Sequence, residues 1–197
     1  MIAIVDYGLG NVLNVKRAIE HLGYEVCLTR DVVLLKQADV LILPGVGHFK
    51  DAMTTIQRHQ LDYFLKTTTQ PMIGICLGMQ LLYDWSAEGH VNGLGLIPGK
   101  VEAIQTPYTV PHLGWNTLRS SFEGFHQDVY FIHSFQAPMT DSVIAYADYG
   151  AQIPAIVQHQ HYIGIQFHPE KSGDDGLNIL KQALEGGWKY DKTMARH

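Results

Sequence analysis

The chain opens on Ile2-Ala3-Ile4-Val5, a continuous apolar run of strand length. The period then changes: Val12, Val15, Ile19 and Leu22 recur at helical spacing, with Asn11 at the N-cap position and Gly23 placed to end the helix. Tyr24 to Leu28 reads as a second strand. Val40 to Leu43 reads as a third, closed by Pro44-Gly45-Val46-Gly47. A helix is expected over Ala52 to Lys66, a fourth strand over Met72 to Ile75, and another helix from about Cys76 to Trp85. Strands that are apolar throughout, alternating with amphipathic helices, predict a parallel sheet covered on both faces.

Beyond about Val91 the segments shorten and become rich in Tyr and Val between Gly and Pro. Val101 to Ile104, Val129 to His133, Val143 to Asp148, Ala155 to Gln158 and Tyr162 to Gln166 read as antiparallel or mixed strands. A last helix carries Leu177, Leu180 and Leu184 on one face and stops at Gly186-Gly187. One α/β domain over 1–187 is expected, followed by a tail, 188–197, without periodicity and expected to be mobile.

Composition narrows the function classes. With 46% apolar and 17% charged residues in 197, the chain reads as an ordinary folded domain. A net charge of −5 disfavours a nucleic-acid binder, which needs a basic face. No apolar run approaches the roughly 18 residues of a membrane span, and no signal-type segment opens the chain. Two cysteines, Cys27 and Cys76, are too few for a disulfide framework, although a single bridge between them stays open. A reduced, cytoplasmic protein without nucleic-acid or membrane partners is expected.

The chemistry concentrates in Gly74-Ile75-Cys76-Leu77-Gly78, at a strand-to-helix junction. The pattern is a nucleophile elbow with Cys in place of Ser. Flanking side chains would collide with backbone in so tight a turn. The helix N-terminus is expected to favour the thiolate, and the Leu77 N–H to face a developing oxyanion. An isolated Cys is more often a small buried hydrophobe, and Cys27, with no such setting, is read that way. His168-Pro169-Glu170 supplies a base and its orienting acid. In extended chain residues i and i+2 point the same way, so Glu170 can lie beside the His168 ring. The Gly45–Gly47 loop can present a second oxyanion N–H, from Val46 or Gly47, at the strand ends where open α/β sheets bind ligands. Two motifs are weaker. Gly8-Leu9-Gly10 lacks the third glycine of a dinucleotide fingerprint, and His159-Gln160-His161 has no further ligands for a metal.

Together these segments resemble the class I (triad) glutamine amidotransferases. The resemblance extends through Gly114-Trp115-Asn116, Tyr130-Phe131-Ile132-His133-Ser134-Phe135 and Gly164 to Ser172. It implies an open mixed, mostly parallel sheet with helices on both faces, flavodoxin-like. It implies hydrolysis of glutamine to glutamate and ammonia through a Cys76 thioester, with His168 as base and acid, Glu170 as its orienter, and Leu77, Val46 and Gly47 around the oxyanion. Glutamine itself is then expected against Gly47, Gln80, Glu88, Ser134 and Phe135. No metal or cofactor is implied.

The catalytic residues leave the acceptor of the ammonia open. An anthranilate-type synthase would share them, and a Cys-dependent hydrolase would share the elbow. The first loop and Gly-Trp-Asn resemble the branch that serves histidine biosynthesis. For that branch the implied partner is a (β/α)8-barrel cyclase subunit, bound as a heterodimer at Gly8, Asn11, Trp115, Tyr130 and Lys171. Trp115 could equally be core. His48, where a small residue is usual, and Phe135, where Tyr is common, depart from the pattern.

Overall fold

A computed structural model of the chain describes residues 1–8, 11–120 and 124–188. Leu9 and Gly10 of the first loop, and 189–197 of the tail, lie outside the described residues. The first half alternates strand and helix: β1 (Ile2–Val5), α1 (Val12–His21), β2 (Val26–Thr29), α2 (Val32–Leu35), β3 (Val40–Leu43), α3 (Phe49–Arg58), α4 (Asp62–Thr67), β4 (Met72–Ile75) and α5 (Leu77–Leu81). The second half is nearly all strand. It runs through β5 (Tyr83–Ser86), β6 (Val91–Asn92), β7 (Ile97–Ala103), β8 (His112–Arg119), β9 (Asp128–His133), β10 (Phe135–Gln136), β11 (Val143–Asp148), β12 (Gln152–His159) and β13 (Tyr162–Ile165). A 3₁₀ turn (Pro169–Lys171) and α6 (Gly173–Leu184) follow.

Nine strands form the main sheet in the order β2-β1-β3-β4-β13-β12-β11-β8-β9. The pairs from β2 across to β13 are parallel and those from β13 to β9 antiparallel, as the change of character along the sequence suggested. β1, β4 and β13 are buried residue by residue, which follows from helices on both faces. One face packs Ala3, Val5 and Leu43 against Phe49, Met53 and Ile56 of α3. The other packs Ile2, Ile4 and Ile42 against Ile19 of α1 and Ile179 and Leu180 of α6. The strand order places β3, β4 and β13 side by side and parallel, with Leu43 opposite Gly74 and Ile75 opposite Ile165. The loops that leave these three strands therefore emerge together at one end of the sheet.

Several expectations are corrected. The helix expected over Ala52 to Lys66 is two helices, because Gln60 takes a left-handed φ of 57°. Leu61 N–H returns to Ile56 O and Gln60 N–H to Gln57 O, the bonding of a glycine-type helix stop made without glycine. The helix expected to reach Trp85 ends at Leu81. The carbonyls of Leu81 and Leu82 are taken by the N–H groups of Leu94, Leu96 and Ile97, and Trp85 lies in β5 of a second sheet, order β10-β7-β5-β6. β8, unforeseen, runs straight through Gly114, whose φ is 118°. Asn11 occupies the N-cap of α1 but makes no capping side-chain bond. Both cysteines are free, so the bridge left open is not formed. Trp115 is 60% exposed and is not core. No helix among the described residues is long and apolar enough to cross a membrane.

Candidate active site

The turn after β4 carries Cys76 at φ 53°, ψ −110°, a conformation that costs an ordinary residue roughly 1–3 kcal/mol. The turn closes only because its neighbours lack side chains. A Cβ on Gly74 would overlap the Gly78 carbonyl, and one on Gly78 would overlap the Leu43 carbonyl of β3. Gly45 is wedged in the same way: its Cβ would stand 2.8 Å from the Leu77 Cβ and 3.0 Å from the Gly78 nitrogen. Buried Tyr7 donates its hydroxyl to the Pro44 carbonyl and ties the loop after β3 to the end of β1. The 44–47 loop thus rests directly on the elbow.

His168 follows β13, and its N–H donates to the Tyr130 carbonyl of β9 at 2.9 Å. Its Nδ1 lies 2.8 Å from Glu170 Oε1, and both side chains are almost wholly buried. The strand ends at Ile165, and the extended chain expected through Glu170 is instead a 3₁₀ turn, Pro169–Lys171, which folds the carboxylate under the ring. With Nδ1 committed to Glu170, Nε2 is left buried and without a hydrogen bond among the described residues. Burial alone would depress the His168 pKa, but the Cys76 sulfur and the Glu170 carboxylate outweigh it and raise it to about 9. The imidazolium is thereby the favoured form at neutral pH, facing a sulfur that can carry the opposite charge.

A cleft of about 200 Å³ opens over the sulfur. Val46, Gly47, Cys76, Leu77, Gln80, Glu88, Ser134 and Phe135 line it, so every expected oxyanion and substrate residue meets there. Glu88 Oε2 accepts the Phe49 N–H at the start of α3, at 2.8 Å, which orients the carboxylate and leaves its second oxygen for another partner. His168 and Glu170 line a tighter crevice with Asn11, Pro44, Gly45 and Val46. Of the expected partner-face residues, Trp115 and Tyr130 lie opposite each other across β8–β9 with rings 5.9 Å apart. Lys171 and Gly8 are exposed, and Asn11 is half-buried at the crevice.

Three residues of the site fall within the segments of the resemblance but were given no role in the sequence reading. Ile132 and His133 line the cleft. Gln166, wholly buried, donates from Nε2 to Cys76 Sγ at 3.8 Å and accepts from Gln80 Nε2 at 3.0 Å. A wholly polar amide in the otherwise apolar run Ile163 to Phe167 was the available signal. His133 is held neutral: burial, with its neighbours His112 and His168, pushes its pKa down to about 3 despite the Phe135 carbonyl. No cluster of three or more metal-ligating side chains exists among the described residues, and His159 and His161 gain no third ligand. A larger cavity of about 490 Å³ lies beside α6, between Phe125 and Trp188, and holds none of the expected site residues.

The family model for "Glutamine amidotransferase class-I" matches residues 3–185. A Staphylococcus aureus protein described as "Imidazole glycerol phosphate synthase subunit HisH" is 64% identical over 192 residues, covering 97% of this chain and 100% of that one. Its counterpart in Staphylococcus saprophyticus is 61% identical over 196 residues, covering 99% of each. Among solved structures, one described as "Crystal structure of glutamine amidotransferase" superposes with a TM-score of 0.77 at 19% identity, over 94% of this chain and 98% of that one. A chain of PurLQS from Thermotoga maritima superposes at 0.70 with 20% identity, over 93% and 97%. At such identities the two structures share the fold.

The packing at the elbow makes one direct prediction. Gly78→Ala drives a methyl group into the backbone of β3, and urea unfolding should show a loss of about 3 kcal/mol or more. A loss under about 1 kcal/mol, within the range of an ordinary surface change, would contradict the packing described.

Proposed function

The chain belongs to the class-I glutamine amidotransferase family, and on that premise we propose that it is the glutaminase subunit of an imidazole glycerol phosphate synthase, acting in histidine biosynthesis. The observation that carries this reading is the 64% identity to a subunit of that name across the full length of that relative. The geometry supports the chemistry residue by residue.

In this reading glutamine enters the cleft with its carboxamide over Cys76 and its ammonium group at the free oxygen of Glu88. The Cys76 thiol proton rests on His168 Nε2, and the thiolate sulfur bonds to the carboxamide carbon. The oxyanion that forms is held by the N–H of Leu77 and an N–H from Val46 or Gly47. His168 returns the proton to the amide nitrogen as the carbon–nitrogen bond breaks, so ammonia leaves and a glutamyl thioester remains. Water then gives a proton to His168 and its oxygen to the acyl carbon. The carbon–sulfur bond breaks, glutamate departs and the thiolate is restored beside a protonated His168. Glu170 keeps the Nδ1 proton in place throughout, which fixes Nε2 as the atom that exchanges protons. The buried, unpartnered Nε2 and the free second oxygen of Glu88 are what support these two assignments.

Ammonia protonated in bulk water is no nucleophile, so the reading includes direct transfer to a partner, a (β/α)8-barrel cyclase subunit. An outward apolar face supports it: Leu113 and Trp115 of β8 are 57% and 60% exposed, and Ile132 of β9 is 41% exposed. These sit beside half-buried Tyr130 on the same side of the hairpin. Monomers seldom leave such a patch uncovered. The patch adjoins the site, because the Tyr130 and Ile132 carbonyls touch His168 and Cys76. A cytoplasmic, reducing setting suits two free thiols.

Cys76→Ala should keep the fold by circular dichroism and abolish glutamate production, with or without partner. Wild-type turnover by that variant would end the thioester mechanism. Trp115→Ala should weaken binding of the cyclase subunit by at least about 2 kcal/mol, roughly thirtyfold, in titration calorimetry. Unchanged affinity would move the interface elsewhere.

A further inference from the structure

Gln166 follows β13 directly, and its side-chain amide is wholly buried. The hydrogen bonds around it leave one orientation. The Phe135 carbonyl can only accept, and Gln80 donates to it at 2.9 Å, so the amide nitrogen of Gln80 is the atom that faces it. That same nitrogen donates to Gln166 at 3.0 Å, so the oxygen of Gln166 faces Gln80. The Gln166 nitrogen is then turned toward the Cys76 sulfur at 3.8 Å. The thiol hydrogen has its own acceptor, the Ile132 carbonyl at 3.7 Å.

We propose that Gln166 is a further catalytic residue, whose amide donates a hydrogen bond to the Cys76 thiolate and holds the sulfur toward the glutamine cleft. The proposal rests on the reading of Cys76 as nucleophile. Its physical need comes from α5. A thiolate in a buried site loses hydration and must be compensated by fixed donors. The helix expected to supply them is only five residues long, little more than one turn of aligned peptides. A neutral amide donor adds stabilisation without adding a charge that would compete with His168. Gln80 thereby has two tasks: it lines the cleft, and it locks the Gln166 amide the right way round.

The test is the pH dependence of alkylation by iodoacetamide on the full chain, read by peptide mass spectrometry at Cys76 and, as an internal reference, at Cys27. Among the described residues, the titratable groups around the Cys76 sulfur are Tyr7 from the end of β1, Glu88 after β5, His133 from β9, and His168 with Glu170 after β13. None of them is altered. Gln166→Met removes both the donor and the acceptor. Gln166→Glu keeps the shape and an oxygen for Gln80 but replaces the donor.

Both variants should move the Cys76 midpoint upward by about one pH unit, a tenfold loss of thiolate at a given pH, and leave Cys27 where it was. Glutaminase kcat should fall about tenfold in parallel in Gln166→Glu, with KM for glutamine changed far less. If the midpoints of both folded variants match wild type, the proposal is wrong. A shift in Gln166→Met alone also overturns it, because the effect would then run through a displaced Gln80. Should Gln166→Met fail to fold, Gln166→Leu, likewise uncharged and without a donor, decides in its place, because Gln166→Glu also adds a charge beside the sulfur. The nucleophile reading fails separately, if Cys76→Ala hydrolyses glutamine.

Discussion

The backbone turn at Cys76 is the constraint on which the rest of the site depends. A residue at φ 53° between β4 and α5 holds its side chain clear of the sheet, and it keeps that conformation only while the strands on either side hold it. Three glycines, Gly45 after β3, Gly74 in β4 and Gly78 in α5, make the close approach possible, since a methyl group at any of them meets backbone or the Leu77 side chain. Parallel pairing of β3, β4 and β13 then brings the 44–47 loop and His168 to the same end of the sheet. The arrangement is a consequence of sheet order and of side chains that are absent.

The β8–β9 hairpin shows how the site and the outward surface are built from one element. Alternation along its strands sends Leu113, Trp115 and Ile132 outward and His112, Phe131 and His133 inward. The inward side continues the packing: His112 stacks between Phe131 and Tyr149, at centroid distances of 4.4 and 4.1 Å. His112 and His133 lie within hydrogen-bond distance, and His133 Nδ1 donates to the Phe135 carbonyl that also receives Gln80. Meanwhile the Tyr130 carbonyl receives the His168 N–H and the Ile132 carbonyl faces the Cys76 sulfur. Any movement of β9 is therefore felt directly by both residues.

Much of this was legible in the chain and some was not, for identifiable reasons. β1, β3, β4 and α6 follow from unbroken apolar runs and helical spacing, because each is decided by local pattern. The elbow glycines and His168-Pro169-Glu170 were legible because their chemistry is also local. The break at Gln60 was not, since the left-handed residue there is not glycine and the stop is enforced by burying Leu61. β8 was hidden by Gly114 and by a polar alternation that makes sense only once Trp115 is seen on an outward face. Gln166 was hidden for the opposite reason. It reads as one polar residue in a strand, and its meaning arises from Gln80, a residue 86 positions away along the chain.

The central claim is that Cys76 carries the glutamyl group between two half-reactions. Its most direct test is to mix the chain with glutamine and the proposed cyclase subunit, quench in acid during steady turnover, and weigh the peptides. The account predicts a glutamyl adduct on the Cys76 peptide that is absent when glutamine is omitted and accumulates further when Glu170→Gln slows its hydrolysis. Steady glutamate production with no adduct on Cys76 at any time would contradict it.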